Sequence, residues 1–256
     1  KALVAMPAAT APPVLAAQAL LGGMFGIVKF SSSALRPLVM ARQVELALTH
    51  GHTDASAPAL AGFGGVLCGV LGAIDEGYRA GSMALALEAA RPSRHGRHKS
   101  LSLFNCYVRH YREPLQRALE GLHAAHAEAL ACGDLEYAAY SLAAAIQYAV
   151  PLAEDLRALA RDMGLQLQQL EQTGQKQSLQ YSYMALQALT RLCEPTATPT
   201  ALDGERYREA EMLAEHQREN HLTAVCLHHF YKALLALVFA NYPGALADCA
   251  LGQAPP

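Results

Sequence analysis

Charged residues alternate between scarce and abundant from one helix-length stretch of this chain to the next. Their numbers are none in residues 57–74, five in 75–91, two in 134–153, six in 154–172, two in 176–193, nine in 203–219 and one in 221–242. A helix without charges must be buried on nearly all sides, whereas an amphipathic helix buries one stripe and exposes the other. Strict alternation of the two kinds is typical of stacked helical hairpins.

Apolar periodicity, glycine and proline divide the chain into helices. The predicted helices cover 14–28, 34–50, 57–73, 75–90, 99–111, 113–131, 135–150, 154–172, 176–193, 205–219, 221–240 and 243–251. Serines at 31–33 separate the first two predicted helices. Gly51, Gly133 and Gly174 end helices, because glycine adopts positive φ without strain.

The spacing of the weakly charged helices predicts the fold class. They begin near residues 57, 99, 134, 176 and 220, so successive starts are 42, 35, 42 and 44 residues apart. Tetratricopeptide units repeat at about 34 residues and HEAT or armadillo units at about 40–47, so the array is irregular. We therefore expect an all-α protein, a right-handed α-solenoid of tetratricopeptide-like antiparallel helix hairpins. It forms a single region over 1–256, with N-terminal helices in 1–54 and about five helix pairs in 55–256.

Two turns resemble tetratricopeptide punctuation. Gly72 and Gly77 precede Tyr78 in the first turn, and Tyr242 occupies the equivalent place in the second. We expect each tyrosine ring to fill the wedge between the two helices of its hairpin. A smaller side chain three residues later would let those helices approach closely.

The residues after Gly133 predict a helix buried on two faces. Asp134 is suited to cap it, since an aspartate side chain accepts from free N–H groups at a helix start. Tyr137 and Tyr140 form one apolar stripe beside a second that begins at Leu135. A helix with two apolar stripes has neighbours on both sides, as an inner solenoid helix does.

Composition excludes several classes of protein. The net charge of −2 gives no electrostatic basis for nucleic-acid binding. The uncharged stretch 55–74 reaches 20 residues, near the length needed to span a bilayer, but its five glycines favour close helix packing, and we expect no membrane span. Six scattered cysteines without a C-x-x-C pair indicate small buried hydrophobes in a reducing, cytoplasmic compartment.

Histidines raise the question of a metal site. Glu120, His123 and His126 form an E-x-x-H-x-x-H pattern, but a di-metal bundle needs a second Glu-x-x-His and two further glutamates. These residues are predicted on the exposed face of an amphipathic helix, so no metal is expected. A helical metal-binding protein remains a minor alternative.

A second group, His221, Cys226, His228 and His229, lies on one predicted helix. A Cys–His nucleophile needs an activating environment, which the sequence does not indicate, so we expect buried packing or hydrogen bonding. The basic stretch 91–99 is interpreted as a solvated loop, with contact to an anionic partner as the alternative.

No catalytic motif occurs in the chain. The phosphate loop, the dinucleotide-binding glycine motif, the kinase motifs and the nucleophile elbow are all missing from the sequence. We therefore predict no catalytic, cofactor-binding or metal-binding residue and no enzymatic activity for this segment.

The residues at 131–140, A-C-G-D-L-E-Y-A-A-Y, resemble a signature in the helical-repeat region of very large bacterial signalling proteins. Further similar positions lie at 68–72, 77–78, 104–105, 110 and 231–235. In the family that this signature resembles, a Ser/Thr kinase-like domain is followed by an AAA-type predicted ATPase domain and then by helical repeats. GAF and histidine-kinase modules often come after the repeats. The resemblance falls entirely within the repeat region.

This resemblance implies a segment of a longer protein. The expected function is a non-catalytic scaffold or sensor of a multidomain signal-transduction ATPase or kinase. Its expected partners are a protein or peptide and the flanking kinase or ATPase domains. The alternative is a ligand- or partner-binding repeat domain of a transcriptional regulator. We also expect apolar surfaces at the ends of the array.

Overall fold

The structure, a computed structural model, describes residues 5–31, 35–93, 96–194 and 196–253, with the backbone alone at 25–31. The predicted serine interruption at 32–33, Arg94 and His95 of the basic stretch, and Pro195 lie outside the described residues. Within the described ranges the chain forms α-helices, two short 3-10 helices and no strand. The all-α prediction is therefore confirmed.

The helices follow one another with short connections. They are α1 (Pro12–Ser31), α2 (Leu35–His50), α3 (Ser56–Gly69), α4 (Ile74–Ala90), α5 (Arg97–Tyr107), α6 (Leu115–Ala131), α7 (Leu135–Ala149), α8 (Leu156–Thr173), α9 (Lys176–Cys193), α10 (Glu209–Arg218), α11 (Leu222–Val238) and α12 (Tyr242–Gln253), with 3-10 helices at Arg109–Tyr111 and Val150–Leu152. The chain divides into two compact units, Lys1–Ser141 and Leu142–Pro256. The division falls inside α7.

Most predicted helix ends agree with these bounds within a few residues, and the ends of α3 and α5 and the start of α10 each differ by four. α10 begins at Glu209 rather than at 205. The preceding residues close a turn, in which the Gly204 N–H donates to the Tyr207 carbonyl at 2.8 Å. The Asp203 carboxylate accepts from the Glu209 N–H at 2.9 Å and so marks the start of the helix.

In the first unit α3 contacts α2, α4 and α5. Glycines make the α3–α4 contact possible. A Cβ at Gly77 would lie 2.6 Å from the Gly64 carbonyl oxygen, and one at Gly64 would lie 3.1 Å from the Gly81 backbone nitrogen. The first distance is too short for a side chain and the second leaves little room for one, so the helix backbones meet directly. The predicted close approach three residues after Tyr78 is confirmed.

The first half of α7 completes the core of the first unit. Tyr137 and Ala138 are buried there. The Ser141 hydroxyl donates to the Ser102 hydroxyl on α5 at 3.0 Å. Burial on both faces is confirmed, except that Leu135 is 46% exposed, because it occupies the first turn of the helix.

In the second unit α9 contacts α8 and α11, and α11 contacts α10 and α12. The apolar stripe predicted on α8 is present, with Met163, Leu167 and Leu170 each 0% exposed. Asp155 caps this helix, accepting from the N–H groups of Arg157 and Ala158 at 2.8 and 3.0 Å.

The structure places the two tyrosines differently. The Tyr78 ring lies 5.9 Å from the Phe104 ring on α5, and its hydroxyl donates to Glu113 at 2.6 Å, so it packs toward the next hairpin. Tyr242, at the start of α12, is 60% exposed.

The cysteines also differ from prediction. Cys68 is buried, whereas Cys132, Cys226 and Cys249 are exposed. Each exposed cysteine lies at a helix end or on an outward face, where helical periodicity rather than residue type decides burial. Over the described part of the chain, no helix has both the length and the apolar character needed to cross a bilayer.

Candidate binding cleft

A cleft of about 340 Å³ opens in the first unit between α1, α2, α3, α5 and α7. This volume lies at the lower end of the range for small-ligand sites, roughly 300–1,000 Å³. Its polar wall consists of six side chains, Gln43, Asp54, Lys99, Glu136, Tyr137 and Tyr140. Apolar groups of α2, α3 and α5 form the rest of the wall.

Helix α7 supplies the aromatic wall. Residues three and four apart share a helix face, so Glu136, Tyr137 and Tyr140 reach the cleft together. The two rings meet edge to face with centroids 5.8 Å apart, and the Tyr140 hydroxyl donates to Glu136 Oε1 at 2.7 Å. Burial raises the pKa of the Tyr137 hydroxyl far above its usual value, so this phenol stays neutral.

Asp134 fixes the position of the cleft lysine. Its carboxylate accepts from Lys99 Nζ at 3.2 Å and from the Tyr137 backbone N–H at 3.1 Å. His98 Nε2 lies 2.9 Å from Asp134 Oδ2, and a carboxylate acceptor there requires that Nε2 carry the proton. Lys99 Nζ lies 5.1 Å from the centre of the Tyr137 ring, within cation–π range.

These contacts decide the charge of Asp134. Burial alone would raise the pKa of its carboxyl group, but the hydrogen bond from His98, the Tyr137 N–H and the Lys99 charge together hold the pKa well below 3.8. Asp134 is therefore ionised at neutral pH, and its negative charge compensates the positive charge of Lys99.

The opposite wall comes from α1 and α2. The Gln43 side chain is only 3% exposed, and its backbone carbonyl accepts from Gln18 Nε2 at 2.9 Å. That bond ties α1 to α2. A Cβ at Gly22 of α1 would lie 3.6 Å from Gln43 Nε2, so a small residue leaves room beside the amide.

The cleft can bind through hydrogen bonds, ring faces and charge. Asp54 and Glu136 form no ion pair among the described residues, whereas Lys99 is paired with Asp134. The described lining residues include no Ser, Thr, Cys or His.

The structure brings some of the sequence-predicted residues together and separates others. Tyr137 and Tyr140 line the cleft, after a turn in which Gly133 adopts φ +73°. Asp134 does not line it but pairs with the lining residue Lys99. Gly72 adopts φ +67° in the α3–α4 turn, where no other group lies within 4 Å of a Cβ position.

The remaining predicted positions lie away from the cleft. Gly77 and Tyr78 belong to the α4 contacts with α3 and α5, and Tyr242 begins α12 in the second unit. None of these three lines the cleft.

Sequence reasoning missed Gln43 and Asp54. The available signal was a polar residue within the buried stripe of α2, where Gln43 lies between Met40 and Ala47, both buried. Lys99 was assigned to the basic loop, and Glu136 to the helix dipole. Their shared location depends on contacts between distant segments.

The E-x-x-H-x-x-H pattern does not converge on a metal position. Glu120 and His123 are exposed, and His126 Nδ1 lies 2.8 Å from the Ala138 carbonyl, to which it donates. Among the described residues, no group of three His, Cys, Asp or Glu is placed to hold a metal ion.

The second histidine group forms a buried hydrogen-bonded cluster in the second unit. Its described contacts are Tyr181 Oη to His221 Nε2 at 2.6 Å, Tyr207 Oη to His228 Nδ1 at 2.9 Å and His229 Nδ1 to Asp248 Oδ1 at 2.9 Å. The predicted histidine burial is confirmed. Cys226 is exposed and does not belong to the cluster.

The basic stretch is partly helical rather than a loop. Arg97 begins α5, and its Nε donates to both carboxylate oxygens of Glu128 at 3.0 and 3.1 Å. With Lys99 paired to Asp134, the described charges of this stretch are largely used within the first unit.

The chain matches no protein-family model and has no significant match among the curated proteins. The resemblance to helical-repeat regions of bacterial signalling proteins therefore rests on short motifs.

Proposed function

We propose that this chain is a non-catalytic helical-repeat scaffold that binds a protein or peptide partner in the cleft beside Tyr140. The observation that carries this proposal is the cleft itself. It gathers the motif residues Tyr137 and Tyr140 with Gln43 from a distant helix. A concave site with aromatic and paired polar groups is the usual form of a recognition site.

The helix contacts within each unit support a solenoid of tetratricopeptide-like hairpins. α3 contacts its hairpin partner α4 and also α5, which begins the next hairpin. In the second unit α9 likewise contacts α8 and α11. Contact between successive inner helices is what stacking of repeats requires, and such arrays present extended binding surfaces.

The wider role follows from the motif resemblance. The residues at 131–140 resemble the repeat region of bacterial signalling proteins with kinase and ATPase modules. We propose that partner binding at the cleft is relayed to such flanking modules in the cytoplasm. The cleft lies beside the motif that carries this resemblance, which supports linking the two.

The test is a peptide-display selection on the intact chain. Peptides selected by the native protein are then measured against Tyr140→Ala and, as the matched control, Tyr183→Ala. Tyr183 is also half-buried on a helix, and its hydroxyl also donates to a glutamate, Glu171, at 3.0 Å. The control therefore removes the same ring and the same kind of hydrogen bond outside the first unit.

We expect peptides whose affinity falls about tenfold or more with Tyr140→Ala, because aromatic anchors dominate binding energy, and stays unchanged with Tyr183→Ala. Tyr140→Phe, which keeps the ring, guards against a loss caused by misfolding. Selected peptides that bind all four proteins equally, or no selected peptides at all, would refute the proposal.

A further inference from the structure

We propose that the cleft receives a cationic side chain, arginine or lysine, from its partner. This inference rests on the proposed function, since it specifies the partner chemistry of the same site. It follows from the charges and the rings that line the cleft.

The charges of the cleft do not balance. Lys99 and Asp134 form a pair with no net charge, at 3.2 Å. Asp54 and Glu136 remain, and neither has a cationic partner among the described residues. A partner cation would compensate the negative charges of two residues that line the cleft, which favours its entry over that of an anion.

Glu136 is positioned to accept from such a cation. The Tyr140 hydroxyl donates to Oε1 at 2.7 Å and holds the carboxylate in place. Within the described residues no hydrogen bond occupies Oε2. An ionised carboxylate with a fixed orientation is the preferred acceptor for the N–H groups of a guanidinium or ammonium.

The aromatic wall already accommodates a cation. Lys99 Nζ lies 5.1 Å from the Tyr137 ring centre, so a positive charge is stable against this surface. Tyr140 adds a second ring 5.8 Å from the first. Arginine and lysine bind favourably against tyrosine rings at such distances.

The same groups disfavour an acidic ligand. A carboxylate from a partner would compete with Asp134 for Lys99, and it would lie near Asp54 and Glu136. Like charges brought together in a partly desolvated site are unfavourable.

The experiment titrates three capped tripeptides into the 15N-labelled intact chain and follows amide chemical shifts. The probes are acetyl-Gly-Arg-Gly-amide, the same peptide with citrulline, which has the shape of arginine but no charge, and the same peptide with glutamate. The variants are Glu136→Gln and Asp54→Asn. Glu76→Gln is the matched control, since Glu76 is exposed on α4 and pairs with Arg79.

We expect saturable shifts at cleft residues with the arginine peptide and about tenfold weaker binding of the citrulline peptide. Each cleft variant should weaken arginine binding about threefold, as expected for half-exposed ion pairs, and Glu76→Gln should leave it unchanged. Equal binding of arginine and citrulline peptides, tighter binding of the glutamate peptide, or no effect of Glu136→Gln would overturn the inference.

This outcome is separable from that of the proposed function. Selected peptides that depend on Tyr140 but lack arginine and lysine would overturn the cationic ligand and leave the scaffold proposal standing. Failure to select any Tyr140-dependent peptide would overturn the scaffold proposal, whereas the tripeptide titration tests the charge preference of the cleft directly.

Discussion

At the scale of single residues, Asp134 has two structural tasks. It caps α7 through the Tyr137 N–H, and it is the acceptor for buried His98, 2% exposed at its side chain, and for Lys99. Loss of a cap costs about 1 kcal/mol, and a buried donor left without its acceptor costs about 1–3 kcal/mol more. We therefore expect Asp134→Ala to reduce the free energy of unfolding by about 2–4 kcal/mol in urea titrations.

Asp155→Ala is the control for this prediction. Asp155 caps α8 with two backbone N–H bonds but has no buried side-chain partner in the described contacts. Its loss should be clearly smaller than that of Asp134→Ala. Equal losses would show that the His98 and Lys99 contacts add nothing to stability.

The same residue shows the reach of sequence reasoning. The cap was predictable, because an aspartate after Gly133 and before an apolar run is a local signal. The partners His98 and Lys99 lie more than thirty residues away and were interpreted as part of a basic loop. Residues of the cleft such as Gln43 could likewise not be predicted, since local periodicity indicates that a residue is buried but does not identify the residues it packs against.

At the scale of elements, glycine contacts determine how closely α3 and α4 approach. A Cβ at Gly77 would lie 2.3 Å from Cys68 Sγ and 2.6 Å from the Gly64 carbonyl oxygen, and a carbonyl cannot move without shifting the helix. Forced overpacking costs about 1–3 kcal/mol. We expect Gly77→Ala to reduce the free energy of unfolding, measured by urea titration, by an amount in that range.

Gly164→Ala is expected to have the opposite effect on stability. Gly164 also lies inside a helix, α8, but nothing lies within 4 Å of its Cβ position. Alanine there should stabilise the protein by about 0.5–1 kcal/mol, because it restricts the unfolded chain and favours the helix. If both substitutions stabilise, the close α3–α4 contact is not present in solution.

Helix positions were the most predictable feature at this scale. Periodic apolar residues and terminal glycines act within a few turns, so the α8 stripe of Met163, Leu167 and Leu170 could be assigned from spacing alone. The side of a helix on which a tyrosine packs could not be assigned from spacing. Tyr78 meets Phe104 of α5, whereas Tyr242 is 60% exposed at the start of α12, although the two turns look alike in sequence.

At the scale of the whole molecule, the two compact units differ in how they hold titratable groups. The second unit buries His216, His221 and His228 at 0%, 5% and 1% exposure. Burial lowers the pKa of His216 and His221, and it lowers the pKa of His228 to about 4. Neither ring nitrogen of His216 has a hydrogen-bond partner among the described residues.

The sign of the pH effect follows from these shifts. An unfolded histidine binds a proton near pH 6.5, whereas these folded histidines resist protonation. Stability is therefore complete above about pH 6.5 and declines as the pH falls toward the lowered values. His228 alone corresponds to a loss of about 3 kcal/mol by pH 4.

The first unit should respond less over the same range. The lowered pKa of Asp134 means that its contribution is complete above about pH 3.8 and is lost only in stronger acid. The histidines of this unit with lowered pKa values, His110 and His123, are half-buried and exposed, respectively. Both side chains are more exposed to solvent than the buried histidines of the second unit.

Hydrogen exchange of the intact chain at pH 7.5 and pH 5.5, read by mass spectrometry and corrected for the intrinsic rate, distinguishes the units. Peptides from α10 and α11 should lose protection on acidification, while peptides from α3 and α4 change little. In His228→Gln the glutamine amide can still bond the Tyr207 hydroxyl. The loss of exchange protection in α11 on acidification should be smaller in this variant, because it lacks one histidine that binds a proton at higher pH in the unfolded chain than in the folded chain. Equal losses of protection in both units would contradict this assignment of acid sensitivity to the buried histidines.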